Sequence, residues 1–248
     1  MIFDFESALV VGLFLLAALL YSSVGHAGAS GYLAVMALVG IAPTIMKPTA
    51  LALNILVAII ATVKFYRAGS FSWRIFIPLV ITSIPLAYLG GRLLLPEQYY
   101  KPLVGVILLF AAWRLIITAR NGSDYEIQKP SIPGLVILGG VLGLLSGLTG
   151  VGGGIFLSPI LVFFRWAPIK VISGIAAGFI LVNSVSGILG VLTTNTQFHH
   201  DLPLLAIVVI IGGFIGAEYG SKHLGNKSIQ RLLALVLLIA GIKMILMI

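Results

Sequence analysis

The chain has 248 residues, 60% of them hydrophobic and only 9% charged, a balance far outside that of a soluble domain. Its formal net charge of +8 would suggest nucleic acid in a soluble protein. In a membrane chain, Lys- and Arg-rich loops account for that charge, so no nucleic-acid partner is expected. The absence of cysteine excludes disulfides, thiolate metal sites and thiol redox chemistry.

Long apolar runs recur throughout, which predicts an all-α polytopic membrane protein. The first run follows Asp4 and Glu6 with no basic stretch before it, so it reads as membrane domain and not as a cleaved leader. It predicts a helix near Ser7–Val24, broken at Gly25–His26–Ala27–Gly28–Ala29–Ser30–Gly31. The helix that follows, of about eleven residues to Ile41, reaches only about halfway through a ~30 Å hydrocarbon core. Pro43, Lys47 and Pro48 predict a turn before a spanning helix at Thr49–Phe65. Further helices are expected at Ile75–Leu95 and Leu103–Ala119, with loops at Tyr66–Arg74 and Pro96–Lys101. The hydrophilic stretch Arg120–Ser131 is the natural linker between a first repeat, residues 1–119, and a second, residues 132–248.

The second half follows the same plan. Ile132–Leu148 is a predicted helix, Thr149–Gly154 a break and Ile155–Phe164 another half-length helix. Arg165, Pro168 and Lys170 mark the turn, and helices follow at Val171–Leu192, Leu204–Lys222 and Ile229–Ile248. Aligning Gly28 with Gly152 gives an offset of 124 residues and sets Tyr32 on Phe156, Leu33 on Leu157 and Pro43 within one residue of Pro168.

Counting basic residues decides between topologies. If each broken segment crosses the membrane once, the fifteen Lys and Arg divide seven to eight. If each is a re-entrant hairpin, eleven fall on one side: Lys64, Arg67, Arg74, Arg114, Arg120, Lys129, Arg165, Lys170, Lys222, Lys227 and Arg231. The other side keeps four: Lys47, Arg92, Lys101 and Lys243. The second partition is the asymmetry expected of a cytoplasmic face. It predicts six crossings plus two re-entrant hairpins, both termini outside and the 120–131 linker in the cytoplasm. Three crossings per half make the two repeats inverted. Trp73, Trp113 and Trp166, at segment ends, read as interfacial anchors.

The breaks carry the chemistry. Interrupting a helix inside a bilayer frees backbone N–H and C=O groups, which is tolerated only where protein or a wet cavity satisfies them. Paired breaks in two halves point to a transporter binding site. The half-helix after each break begins with unpaired N–H groups at the positive end of its dipole, and glycine lets a small anion approach them closely. Gly25, His26, Gly28, Gly150, Gly152, Gly153 and Gly154 are therefore candidate substrate-binding residues. The competing reading is that these glycines only let helices pack closely.

Polar side chains extend the candidate set. His26 can bind an anion, carry a proton near neutral pH or cap its half-helix. Ser22, Ser23, Ser30 and Thr149 either line the site or bond their own helix backbone. Asn54 and Asn183, the latter beside Ser184, either bond across helices or face a cavity. Glu218 is an intramembrane proton relay, or else a surface partner of Lys222 near the cytoplasmic end.

The paired breaks, each followed by Tyr32–Leu33 or Phe156–Leu157, and Pro43 or Pro168 beyond, resemble the sulfite exporter TauE/SafE family of bacterial membrane proteins. The segment Lys47–Pro48–Thr49–Ala50–Leu51–Ala52–Leu53–Asn54 and the Tyr66–Arg67–Ala68–Gly69 turn are similar to that family too, and the resemblance covers essentially the whole chain. Where the family usually has glycines, the first break has His26 and Ala29–Ser30. The resemblance implies movement of sulfite, sulfonates or related small organic anions across the bacterial inner membrane. The expectation is a secondary transporter without cofactor, whose partners are a small anion and membrane lipid; nothing signals an oligomeric state. An anion channel, a divalent-metal permease and a membrane enzyme of sulfur metabolism are the alternatives. No zinc spacing or placed nucleophile is visible, so neither a metal site nor catalysis is expected.

Overall fold

Proline and glycine punctuate the chain more tightly than hydropathy alone. The computed structural model describes residues 5–118, 126–194, 196–222, 237–239 and 241–246. Among them lie α1 (Phe5–Ser23), α2 (Ala29–Leu38), α3 (Pro43–Arg67), α4 (Trp73–Arg92), α5 (Glu97–Thr118), α6 (Ile132–Thr149), α7 (Gly154–Phe163), α8 (Ile169–Val191) and α9 (Leu202–Lys222), with no strand. Residues 237–239 and 241–246 are helical, and the rest of the expected Ile229–Ile248 helix lies outside the described residues, as do residues 119–125 of the linker region. Ser131 caps α6, its Oγ accepting from Gly134 N at 3.3 Å.

Five helices, α3, α4, α6, α8 and α9, are long and apolar enough to cross a membrane. Their apolar side chains also face outward: Ile77, Ile81 and Ile84 on α4, Ile137 and Val141 on α6, and Ile207, Ile211, Phe214 and Ile215 on α9 are exposed. In water such faces would be an aggregation hazard; in a bilayer they are the lipid contact. The protein is a multi-pass membrane protein.

One expected turn is helix instead. α3 starts at Pro43 and runs through Lys47 and Pro48. Pro43 occupies the first helical position, where a missing N–H costs nothing and the fixed φ favours the helix. Pro48 forfeits a bond only near that end. Similarly, α5 begins at Glu97, ahead of Pro102, and not at Leu103.

The repeat is explicit in the backbone, with its register one residue from the sequence alignment. Adding 125 to α2, Ala29–Leu38, gives α7, Gly154–Phe163. The same offset relates the left-handed residues Gly25 to Gly150, Ala27 to Gly152, Gly28 to Gly153 and Gly40 to Arg165, all at φ between 55° and 116°. It also relates Pro43 to Pro168. The offset of 124 came from matching glycine to glycine. Ala27 accepts a left-handed φ of 56° despite its Cβ, so identity and conformation part by one position.

Glycine grooves join the halves. A Cβ at Gly139, Gly143 or Gly147 of α6 would lie 2.0–2.4 Å from the Leu79, Ser83 and Ala87 carbonyl oxygens of α4. A Cβ at Gly212, Gly216 or Gly220 of α9 would lie 1.8–2.6 Å from those of Leu15, Leu19 and Ser23 of α1. Spacing of four residues puts each set on one helix face, which is the small-residue packing used between membrane helices. The pairs α4–α6 and α1–α9 correspond under the repeat. Between them α3 and α8 run antiparallel, Leu51 meeting Gly187 and Phe65 meeting Gly174.

Candidate functional site

Each break segment packs against the helix that precedes it. Around the second, a Cβ at Gly153 would stand 3.2 Å from the Leu142 carbonyl oxygen, and Trp166, after α7, touches Gly134 at the start of α6. Around the first, Phe14 of α1 stacks on Tyr32 of α2 at 5.4 Å. The Tyr32 hydroxyl donates to the Ala27 carbonyl at 2.8 Å and pins the break. A Cβ at Gly28 would collide with that Tyr32 ring at 2.5 Å.

The two breaks exchange partners. A Cβ at Gly25 would sit 2.2 Å from the Ser173 carbonyl oxygen in α8. A Cβ at its equivalent, Gly150, would lie 3.0 Å from the Lys47 carbonyl oxygen in α3. Gly152 and Gly154 pack on Ile180 of α8, and a Cβ at Gly152 would lie 3.2 Å from Asn54 Nδ2. Both breaks thus rest on α8, at Ser173 and Ile180, about 10 Å apart along its axis. His26 Nε2 closes the gap, 2.8 Å from Ser158 Oγ in α7.

The N-termini of α2 and α7 are buried. Among the described residues, the N–H groups of Ala29, Ser30 and Gly31 have no protein hydrogen-bond partner. The same is true of Gly152, Gly153, Gly154 and Ile155. Such groups are normally satisfied, and at a helix N-terminus they carry partial positive charge. Asn54 is fully buried beside the second tip, about 16 Å along α3 from Pro43. Its Nδ2 reaches the Gly150 carbonyl only at 3.5 Å, and its Oδ1 has no partner.

The remaining candidates separate. Ser22 and Ser23 donate to the Leu19 and Leu20 carbonyls, Thr149 to Leu145 and Asn183 Nδ2 to Phe179, all within their own helices. Asn183 Oδ1 and the Ser184 hydroxyl remain buried without partners. Ser30 is buried in the first turn of α2. Glu218 is half-buried between Lys64 and Lys222, with Lys222 Nζ at 2.5 Å from Oε1. Lys170 Nζ reaches the Lys222 carbonyl at 3.5 Å, so three of the basic residues assigned to one face do gather at one end of α3.

Three residues that sequence reasoning passed over complete the surroundings. Ser158 lies in an otherwise apolar half-helix, and its only signal was a hydroxyl one turn beyond the break. Tyr100 donates to the Thr149 carbonyl at 3.0 Å. Lys47, assigned to a loop, is buried and donates to the Gly90, Gly91 and Leu93 carbonyls at 2.9–3.1 Å, capping the end of α4. A cavity of about 180 Å³ opens beside it, with Tyr100 and Leu148 in its wall.

Among the described residues, the metal-type ligands that cluster are His199, His200 and Asp201, after α8, where His199 N donates to Thr49 Oγ1 of α3 at 3.0 Å. They already engage one another, His200 Nε2 to Asp201 Oδ2 at 3.0 Å and Asp201 N donating to His199 Nδ1. Burial, and then the neighbouring His200, hold the His199 imidazole below its ordinary pKa, against a smaller opposing pull from Asp201.

Comparison with known proteins places this geometry. The family model described as sulfite exporter TauE/SafE matches residues 10–244. The probable membrane transporter protein y4hK of Sinorhizobium fredii is 39% identical over 235 residues, covering 94% of this chain and 95% of its own. The probable membrane transporter protein MJ0441 of Methanocaldococcus jannaschii is 27% identical over 76% of this chain and 74% of its own, and YjnA of Bacillus subtilis, of the same description, 26% over 96% and 99%. No solved structure matches. A family match running nearly from end to end, with a close relative of the same length, leaves one conclusion: the chain belongs to the sulfite exporter TauE/SafE family.

Proposed function

We propose that this protein is a secondary transporter of a small anion, of the sulfite or organosulfonate class, in a bacterial inner membrane. The carrying observation is the pair of buried half-helix N-termini with unpartnered N–H groups, the second facing an amide that is itself unsatisfied. An oxyanion there accepts hydrogen bonds from the glycine backbone and gains the favourable end of the helix dipole. The family and the transporter descriptions of its relatives support the same reading.

In this reading each broken segment is a re-entrant hairpin, and the repeats are inverted about an axis in the membrane plane. The antiparallel run of the equivalent helices α3 and α8 supports inversion, and so does the grouping of Lys64, Lys170 and Lys222 at one end. Both termini then lie outside and the 120–131 linker in the cytoplasm. His26, bonded across to Ser158, is the proton-coupling candidate. Glu218 has two lysines to hold it ionised, which suits an anchor at the cytoplasmic end better than a relay. Alternating access would rock one repeat against the other around the two tips.

The test is binding and flux with purified protein in proteoliposomes, using sulfite, methanesulfonate, acetate and sulfate. Saturable uptake or exchange of one oxyanion class supports the reading. Conductance without saturation would make it a channel, and no interaction with any of the four would end it. Cysteines introduced near each terminus, in a chain with none of its own, report topology by one-sided labelling. Opposite labelling of the two ends would refute the inverted arrangement.

A further inference from the structure

Lys47 is the one buried charged side chain among the described residues. Ionisable groups at membrane depth are costly, and where they persist they have a partner or a task. Its ammonium meets three carbonyl oxygens at the end of α4 and no carboxylate, so carbonyl dipoles offset only part of its charge. The residue 125 positions on is Ile172, so the second repeat has no such cation.

The surroundings turn that asymmetry into a site. The cavity beside Lys47 is open and lies between the start of α3, the α4–α5 connection and the end of α8. Its wall includes Thr44, Lys47, Glu97, Tyr100 and Leu148. Glu97 is engaged by Lys101 at 2.6 Å, which leaves the Lys47 charge uncompensated in the cavity. Glu97 and Lys101 also line an adjoining cavity with Lys243, so three lysines and one acid line the two cavities. Tyr100 in the same wall holds the Thr149 carbonyl, and the Lys47 backbone touches Gly150, so the cavity lies directly behind the second tip.

We propose that this cavity is the anion's access site on that face, with Lys47 as the charge that concentrates small oxyanions next to the second break. The proposal rests on the anion reading of the tips and adds to it where the anion arrives and why cations are turned away. Fixed positive charge in a low-dielectric cleft raises local anion concentration and attack rates by ten-fold or more at low salt.

Thr44 is exposed in the cavity wall one turn from Lys47, and the chain has no cysteine, so Thr44→Cys places one thiol there. Its rates with an anionic and a cationic methanethiosulfonate are each normalised to a free thiol. The expected result is a preference of about ten-fold for the anionic reagent at low salt, slowed by methanesulfonate. Sulfite attacks disulfides and is unsuitable as the protecting ion. Lys47→Gln, which keeps a donor for the α4 carbonyls but no charge, should bring the ratio to about one; Lys47→Arg should retain it. A ratio near one in the Lys47 protein, or a preference untouched by Lys47→Gln, overturns the proposal. Should Lys47→Gln fail to fold, Thr44→Cys decides alone, because the preference must collapse in high salt if it is electrostatic. Asn54→Leu separates the two ideas: it tests the tips without touching the cavity charge. Lost binding there with no reagent preference at Thr44 refutes the access site alone, and the converse refutes the tip reading alone.

Discussion

Asn54 carries a prediction in which stability and binding move in opposite directions. Replacing it with leucine keeps the γ-branched shape and the number of heavy atoms and removes both polar amide atoms. In the absence of ligand Asn54 contributes little: Nδ2 to Gly150 at 3.5 Å is a marginal hydrogen bond, and the buried Oδ1 bonds nothing. A buried unsatisfied polar atom costs about 1–3 kcal/mol, while the marginal bond returns less than about 1 kcal/mol. Asn54→Leu should therefore leave the protein as stable as before, or up to about 2 kcal/mol more so. If Nδ2 instead completes the anion site with the Gly152–Gly154 N–H groups, a hydrogen bond to a charged ligand worth about 1.5–3 kcal/mol is lost, a ten- to hundredfold fall in affinity. The assay is titration calorimetry with sulfite or methanesulfonate on purified protein, alongside thermal unfolding. Unchanged affinity, or a fall in affinity matched by a fall in thermal stability, refutes the placement of Asn54 in the site.

Three further outcomes follow from the same geometry. Gly25→Ala should lower stability by about 2–5 kcal/mol, because its Cβ meets the Ser173 carbonyl oxygen at 2.2 Å and a left-handed φ of 79° is costly for alanine; thermal unfolding measures this. His26→Gln, which keeps a donor for Ser158, should preserve folding yet flatten the pH dependence of transport between about pH 5 and 8, and a pH profile of unchanged form would exclude the proton role. Because burial weakens proton binding to His199 in the folded state, the unfolded chain binds more protons in acid, so His199 costs stability as pH falls below about 6.5. His199→Gln should remove that part of the acid sensitivity in unfolding scans from pH 8 to pH 5.

How much of this was legible beforehand depends on which physical signal each feature leaves. Half-length helices after a glycine cluster are readable because glycine and hydropathy mark both ends, and α2 and α7 fall within a residue or three of where the sequence puts them. Register was not, since Ala27 performs a glycine's conformational task and identity gave no warning. The start of α3 was hidden because two prolines around a lysine read as a turn, whereas the first positions of a helix tolerate them. Lys47 then looked like a loop cation, and only the arrival of the α4 terminus beside it reveals its role. Hydroxyls gave an even choice between site and helix, and Ser22, Ser23 and Thr149 bond their own backbone. The partnership of His26 with Ser158, 132 residues apart, left no trace in any local pattern.

The exchange of partners between the halves explains why two tips make one site. Break one rests on α8 and break two on both α3 and α8, while α3 and α8 run antiparallel against each other between them. Glycines in α6 and α9 press those helices onto α4 and α1 at backbone distance, so these helix pairs move as units and not as separate rods. In the proposed alternating-access reading, a shift of α3 against α8 displaces the tips relative to each other. The His26–Ser158 bond spans the joint that such a shift must open. Under the proposed function, an anion held by N–H groups from both half-helices would bind best when the tips are aligned, and its differential affinity for the arrangements would shift their populations. The cation at Lys47 exists on one side alone, since Ile172 holds the equivalent place. In the proposed mechanism, backbone symmetry supplies the rocking element and side-chain asymmetry gives its two faces different electrostatics.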